Sequence, residues 1–308
     1  MQVKSNTTHK YTGSRSLRYT RKKNRGSKAI SPVISTIILM GTTIALLMVT
    51  IVFINNRLWS SVAESDFNSA RQYMQTVGLQ IDDVAWTMGR KETVRYASSY
   101  GSVSISQTEA INYTIYVKTQ GSSTYQYFAN YASHILLFNI PTSKYSLANG
   151  YYEQIYPQTS NTITFSGTSA PVARVFAREI LTPPMTDGSF ARIVVTPAVR
   201  VLSSSMNSSS SKVYYLKLYL PVLEAGSAHG SAQSVTMIGA SIVTRTLSKI
   251  TSINVTVTFP LTTRAQGFDS SFFRFSSLSQ VINVPVGYDN AILELYGGKV
   301  ETVLGVQS

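Results

Sequence analysis

The sequence predicts an α+β protein: a long N-terminal transmembrane helix followed by a C-terminal antiparallel β-sandwich domain. Three observations carry this. Residues 30–54 form a 25-residue run without a charged side chain. Apolar or small residues then recur at alternating steps of three and four as far as Met88. Beyond residue 90 the apolar period drops to two, with clusters of turn-forming residues between the runs.

Charge orders the first elements. The 308 residues carry 27 Lys+Arg against 14 Asp+Glu, a formal net charge of +13. Nine of the cations (Lys4, Lys10, Arg15, Arg18, Arg21, Lys22, Lys23, Arg25 and Lys28) lie in residues 1–29, which hold no acidic residue, so the remainder has 18 basic and 14 acidic groups, a net of +4. A basic leader of this kind fits nucleic acid or a membrane topology signal. With only two tyrosines for stacking and an apolar span directly behind it, it reads as topology, and nucleic acid is not expected as a partner. At about 1.5 Å per residue the run Ile30–Ile54 makes a helix of roughly 37 Å, longer than a ~30 Å hydrocarbon layer. A cleaved secretory signal would have a shorter apolar core and a small-residue cleavage site after it, whereas Asn55-Asn56-Arg57-Leu58-Trp59 follows here. The charge asymmetry places residues 1–29 in the cytoplasm and the chain after Asn55 outside. Pro32 stands where a helix tolerates proline, in its first turn. Gly41 and the threonines at 42, 43 and 50 have two open readings: close helix packing or local unwinding, or simple service to backbone carbonyls.

The helix is expected to continue as an amphipathic one over 55–90. Its seam is Phe67, Ala70, Met74, Val77, Ile81, Val84 and Met88, with polar residues such as Asn68, Arg71, Gln75 and Asp82 between. Gly78 weakens it locally by about 1 kcal/mol relative to Ala, and Gly89 with Arg90 and Lys91 forms the stop. If unbroken from Pro32 to Met88 it measures about 85 Å and needs two environments, an apolar surround for residues 30–54 and a docked partner face for 58–88.

From residue 91 to 308 a β-rich extracellular head is expected. Ile111, Tyr113, Ile115 and Val117 alternate with Asn112, Thr114, Tyr116 and Lys118; the runs 213–220 and 253–259 alternate likewise. Shorter β-branched or aromatic runs fall at 94–96, 103–105, 135–140, 162–165, 172–176, 192–196, 235–244 and 291–296. Residues 203–211 hold seven serines and read as a mobile surface loop. Sequons place candidate glycosylation at Asn112, Asn207 and Asn254, with Asn207 in the serine segment the most credible acceptor.

Little chemistry is legible. Without cysteine there is no disulfide framework, no thiolate metal site and no cysteine nucleophile. His134 and His229 belong to no metal-binding array; His134, beside Ile135-Leu136-Leu137, reads as a satisfied strand residue. Asp82-Asp83 are adjacent on a helix and point about 100° apart, which suits a solvated face better than an acid/base couple. No phosphate-binding loop is present, and neither catalysis nor a cofactor or metal is expected.

Lys28-Ala29 followed by Ile30-Ser31-Pro32-Val33-Ile34 and an uncharged span resembles the N-terminal segment of archaeal type IV pilins and pilin-like proteins, with a class III signal peptide. The resemblance covers about 30 residues, and about 60 in architecture. It implies that a prepilin peptidase cuts on the cytoplasmic side after Lys28 and Ala29, leaving Ile30 as the new N-terminus. It further implies that Pro32, Val33, Ile34, Ile37, Ile38, Gly41, Ile44, Leu47 and Ile51 belong to a helix that sits in the membrane before assembly and in a filament core afterwards. Ile34 stands at the fifth mature position, where bacterial pilins carry Glu. The implied partners are copies of the same chain in a helical homopolymer, the peptidase and the pilus assembly machinery, and the implied role is adhesion or surface contact. Archaellins share the architecture but open their helix with a glycine-containing motif. The alternative from another class is an uncleaved, signal-anchored surface protein that binds a ligand and never polymerises.

Overall fold

The computed structural model describes residues 32–158, 161–181, 188–209, 211–228 and 234–305. The basic leader, the residues Lys28, Ala29 and Ile30, and His229 lie outside the described residues. The chain is α+β: one long apolar N-terminal helix precedes a mostly β region with several sheets. It divides into two compact units, residues 1–54 and 55–308.

Helix α1 runs from Pro32 to Ala85. The strands follow as β1 (Lys91–Arg95), β2 (Ser102–Ile105), β3 (Ile111–Thr119), β4 (Gln126–Ser133), β5 (Leu136–Pro141), β6 (Tyr152–Tyr156), β7 (Thr164–Ser166) and β8 (Ala173–Glu179). Then come β9 (Phe190–Pro197), β10 (Val199–Asn207), β11 (Lys212–Ala228), β12 (Ser234–Ser248) and β13 (Ile250–Thr258). Two short helices, α2 (Leu261–Ala265) and α3 (Ser270–Phe273), precede β14 (Ser279–Asn283) and β15 (Asn290–Leu304).

The strands form three sheets, ordered β1-β12-β15-β11-β10-β7, β14-β13-β3-β4 and β2-β5-β9-β8-β6. Pairing is antiparallel throughout the second and third sheets. The first departs from the all-antiparallel expectation: β11 runs parallel to β15, and β10 runs parallel to β7. Period-two patterning marks which face is buried but not strand direction, which depends on the crossovers.

The central strands β8 and β9 of the five-stranded sheet are buried on both faces. Every residue of β8 is buried, and Phe190 is the one residue of β9 that is not fully so. One face carries Ala173, Val175, Ala177, Ile193, Val195, Leu136 and Phe138 into a core shared with Phe67, Met74, Val77, Ile81 and Val84 of α1. The other carries Phe176, Val194 and Leu137 into a core with Tyr113 and Ile115 of β3, Leu216 and Leu218 of β11, Val255 of β13 and Phe272 and Phe273 of α3. A strand covered on both sides reads as a continuous apolar run, which is why Arg192–Thr196 shows no alternation.

Two expectations are corrected. The helix stops at Ala85, three residues short of Met88, which is 69% exposed; Gly89, at φ +76°, turns the chain into β1. Residues 203–207 are not a loop. They lie in β10 and pair with β11 in register from Ser203 opposite Leu216 to Asn207 opposite Lys212. The hairpin closes with Ser208 N–H donating to Ser211 O at 2.9 Å and Ser211 N–H to Ser208 Oγ at 3.1 Å. Serine neither alternates with itself nor declares a face, so the strand is set by its partner's Tyr214, Tyr215 and Leu216.

Candidate functional site

The chain's most distinctive surface is the first part of α1. Every residue from Pro32 to Val62 is exposed, including Val33, Ile34, Ile37, Ile38, Ile44, Leu47 and Ile51. Residues 32–54 contain no charged side chain. The helix is long and apolar enough to cross a membrane, and none of its apolar window is buried among the described residues. Thirteen residues of this segment are Val, Ile, Leu or Phe. At about 0.3–0.6 kcal/mol each, they favour bilayer insertion by roughly 5 kcal/mol.

The polar groups inside the apolar segment are dealt with locally. Thr36 Oγ1 donates to Val33 O at 2.8 Å, Thr42 and Thr43 both donate to Leu39 O at 2.9 and 2.7 Å, and Thr50 donates to Leu46 O at 2.7 Å. Each of these four threonine hydroxyls therefore has its acceptor within the helix, as a dry surround demands. No heavy atom lies within 4 Å of where a Cβ would sit on Gly41, so that face is open.

From Ala63 the same helix changes role. Ala63, Phe67, Ala70, Tyr73, Met74, Val77, Gly78, Ile81, Val84 and Ala85 are buried. Polar clamps fix the docked half. Arg71 pairs with Glu153, and Asp82 accepts from Arg200 and from Trp86 Nε1, the latter at 2.7 Å. Asp66 Oδ2 accepts from the backbone N–H of Ser99 and Tyr100 at 2.8 and 3.2 Å. Asp82 is thus a half-buried ion-pair partner rather than part of a solvated face, while Asp83 lies 3.6 Å from Arg90. Trp86 packs edge-on against Tyr219, whose ring stacks on Tyr296 at 4.8 Å between centroids.

Backbone approach closes the docking. A Cβ on Gly239 would lie 2.2 Å from Thr87 O and 2.6 Å from Val84 O, and one on Gly298 would lie 2.4 Å from Ala85 O. Gly239 also exchanges hydrogen bonds with the chain leaving the helix, from Gly89 N–H at 2.8 Å and to Arg90 O at 2.9 Å. Within the helix, a Cβ on Gly78 would meet Val175 Cγ2 at 2.9 Å, so this glycine seats the helix on β8.

The other residues singled out from sequence are scattered. His134 Nδ1 lies 2.8 Å from Ser106 O, and its backbone N–H donates to Leu223 O at 2.9 Å. Among the described residues no group of three or more His, Cys, Asp or Glu is arranged to hold a metal. Of the sequons, Asn207 is exposed at the end of β10, Asn254 Oδ1 accepts from Ser279 Oγ at 2.7 Å, and Asn112 Oδ1 is buried without a partner.

Sequence reasoning missed one cluster. Arg174, Phe176 and Arg178 alternate onto one face of β8, and Arg174 and Arg178 are 0% and 5% exposed. The signal was present in Ala-Arg-Val-Phe-Ala-Arg-Glu, where two arginines four apart share a strand face. No protein-family model, curated protein or solved structure matches the chain.

Proposed function

We propose that this chain is the precursor of a structural subunit of an archaeal type IV pilus-like surface filament. The observation that carries the reading is a single helix with two halves. Its first part is apolar on every side and uncovered, and its second part is docked by a buried stripe on a β-rich domain. An apolar surface of that extent needs lipid before assembly and other copies of the same helix afterwards. The internally bonded threonines suit both surroundings, since neither supplies water.

In this reading a prepilin peptidase cuts after Lys28-Ala29, removing the nine cations that hold the segment in the bilayer. The mature subunit starts at Ile30 and is passed by the assembly machinery into a helical homopolymer. The β-rich head, layered as a sandwich of sheets, faces the exterior and serves adhesion without catalysis, and exposed Asn207 is its best placed glycan acceptor. The support is the residue pattern at 28–34 together with the uncovered helix behind it.

The test is N-terminal sequencing and intact mass of protein recovered from sheared surface filaments. The expected start is Ile30, and substituting Lys28-Ala29 by acidic or bulky residues is expected to abolish both processing and filaments. Recovery of an intact Met1 chain confined to the membrane fraction overturns the reading in favour of a signal-anchored surface protein.

A further inference from the structure

The guanidinium groups of Arg174, Arg178 and Arg274 gather on the face of β8 that carries Phe176. Arg174 and Arg178 lie on the same face of that strand, and Arg192 of β9 stands directly opposite Arg178 in the ladder. Arg274 reaches over the ring of Tyr152, its guanidinium carbon 5.2 Å from the centroid. A buried guanidinium is costly unless it is paired or hydrogen-bonded, so something must offset Arg174 and Arg178.

Aromatic rings and neutral oxygens do part of this. Arg174 lies 4.3 Å from the ring centroid of Phe275, and Arg178 lies 6.0 and 5.8 Å from those of Tyr152 and Phe272. Arg174 Nη2 is 3.2 Å from Asn161 Oδ1 and 3.3 Å from both Gln154 Oε1 and Tyr152 Oη. Yet Nε and Nη1 of both Arg174 and Arg178 are buried with no hydrogen-bond partner. Among the described residues no carboxylate lies within ion-pair distance of Arg174, Arg178 or Arg274. Asp269, the acidic group that acts on Arg178, is engaged elsewhere: its Oδ1 accepts from Ser271 N–H and Oγ and from Phe272 N–H at the start of α3.

We propose that Arg178 and Arg274, backed by the deeper charge of Arg174, form a binding site for the oxyanion group of an acidic ligand, a carboxylate or a phosphate. A ring over a guanidinium covers its face and leaves the in-plane N–H fork for other partners, and that fork is the geometry that grips an oxyanion. At Arg274 one of its N–H groups, on Nη2, reaches Gly150 O at 3.4 Å. The site grades from surface to interior: Arg274 is exposed, Tyr152 is half-buried, and Arg178 and Arg174 are buried. Arg274 holds a left-handed backbone at φ +47°, uncommon for a residue with a Cβ, and this conformation caps α3 with its side chain over Tyr152. Burial, with the neighbouring Arg274 charge second, pushes the Arg178 guanidinium down to about 10; burial likewise lowers Arg174. Both directions follow from taking a cation out of water, and Asp269 offsets only part of this at Arg178.

The test uses the full-length chain in detergent micelles, following thermal loss of β-sheet ellipticity. Sodium glucuronate and inorganic phosphate are each titrated against sodium chloride at matched ionic strength. A saturable rise of about 3–5 °C in the unfolding midpoint is expected at roughly tenfold excess over Kd for at least one probe. A response to glucuronate alone identifies a carboxylate ligand such as an acidic sugar, and one to phosphate alone a phosphorylated ligand. Arg178→Met is expected to abolish the rise while matching or exceeding the parent midpoint without probe, because it removes an unpaired buried charge. Arg274→Gly accepts the left-handed backbone and is expected to lose at least half of the rise; it decides alone if Arg178→Met does not fold. No rise with either probe overturns the site. A rise kept in full by the variants, an adventitious ion only, does the same.

Discussion

At the scale of single residues, the docking of the helix depends on places where a side chain is missing. Gly239 faces backbone oxygens on two sides, so a methyl group there meets atoms that cannot rotate away. Gly239→Ala is expected to lower unfolding free energy by about 3 kcal/mol, the upper end of overpacking costs, measured by denaturant titration of the β-sheet signal. In sequence this glycine is only a break inside a β-rich run, because what it approaches lies some 150 residues earlier and is known only once the fold is formed. Tyr113 gives a second residue-scale outcome. It is fully buried, its hydroxyl donates to Pro197 O at 2.6 Å, and burial raises its pKa well above the ordinary value near 10; Tyr73 is raised for the same reason. A raised phenol holds its proton longer in the folded state. Its contribution is therefore intact below about pH 10 and is lost as pH climbs toward the folded value, at about 1.4 kcal/mol per pH unit per tyrosine. Tyr113→Phe is expected to cost about 1 kcal/mol at neutral pH and to reduce the alkaline slope by one such increment, read from urea midpoints between pH 8 and 11.

At the scale of elements, legibility follows periodicity. The docked stripe of α1 was readable at Phe67, Ala70, Met74, Val77, Ile81 and Val84 because an amphipathic helix repeats the same demand every turn. Ala63 and Tyr73 join it in the structure, and Met88 leaves it because the chain turns into β1 first. Strands on one-sided sheets were readable as well, whereas β4, β6, β10 and β14 were not: their faces are set by partners far away in sequence. The apolar span supplies this scale's prediction. Ile44 stands mid-span with no charge within ten residues on either side. Placing Asp there costs about 3 kcal/mol, less than the roughly 5 kcal/mol that favours insertion. Ile44→Asp precursor is therefore expected still to reach the membrane fraction, with insertion weakened about a hundredfold. Filaments are expected to be lost, because a helix bundle without water or headgroups gives the carboxylate nowhere to snorkel. Membrane fractionation and electron microscopy read the two outcomes separately, and intact filaments would remove residue 44 from any buried position.

At the scale of the whole molecule, the division of labour along α1 makes a claim about independence. The unit from Asn55 to Ser308 contains both cores, all three sheets and each of the glycines that receive the helix. None of the buried residues of α1 precedes Ala63, and neither core draws a described residue from before Phe67. A chain beginning at Asn55 is expected to be soluble without detergent, monodisperse, and equal to the full-length protein in β-sheet ellipticity and in unfolding midpoint to within about 2 °C. Full-length protein stripped of detergent is expected to associate through residues 32–54. The comparison separates two ways of building such a molecule. If the apolar segment serves only lipid and neighbouring copies, its loss changes solubility and association but not stability. If the shortened chain unfolds at a distinctly lower temperature or precipitates, the first half of α1 supports the β-rich domain itself. A helix committed to that support could not also exchange lipid for other helices during assembly, so sedimentation and calorimetry on the two chains bear directly on the filament reading.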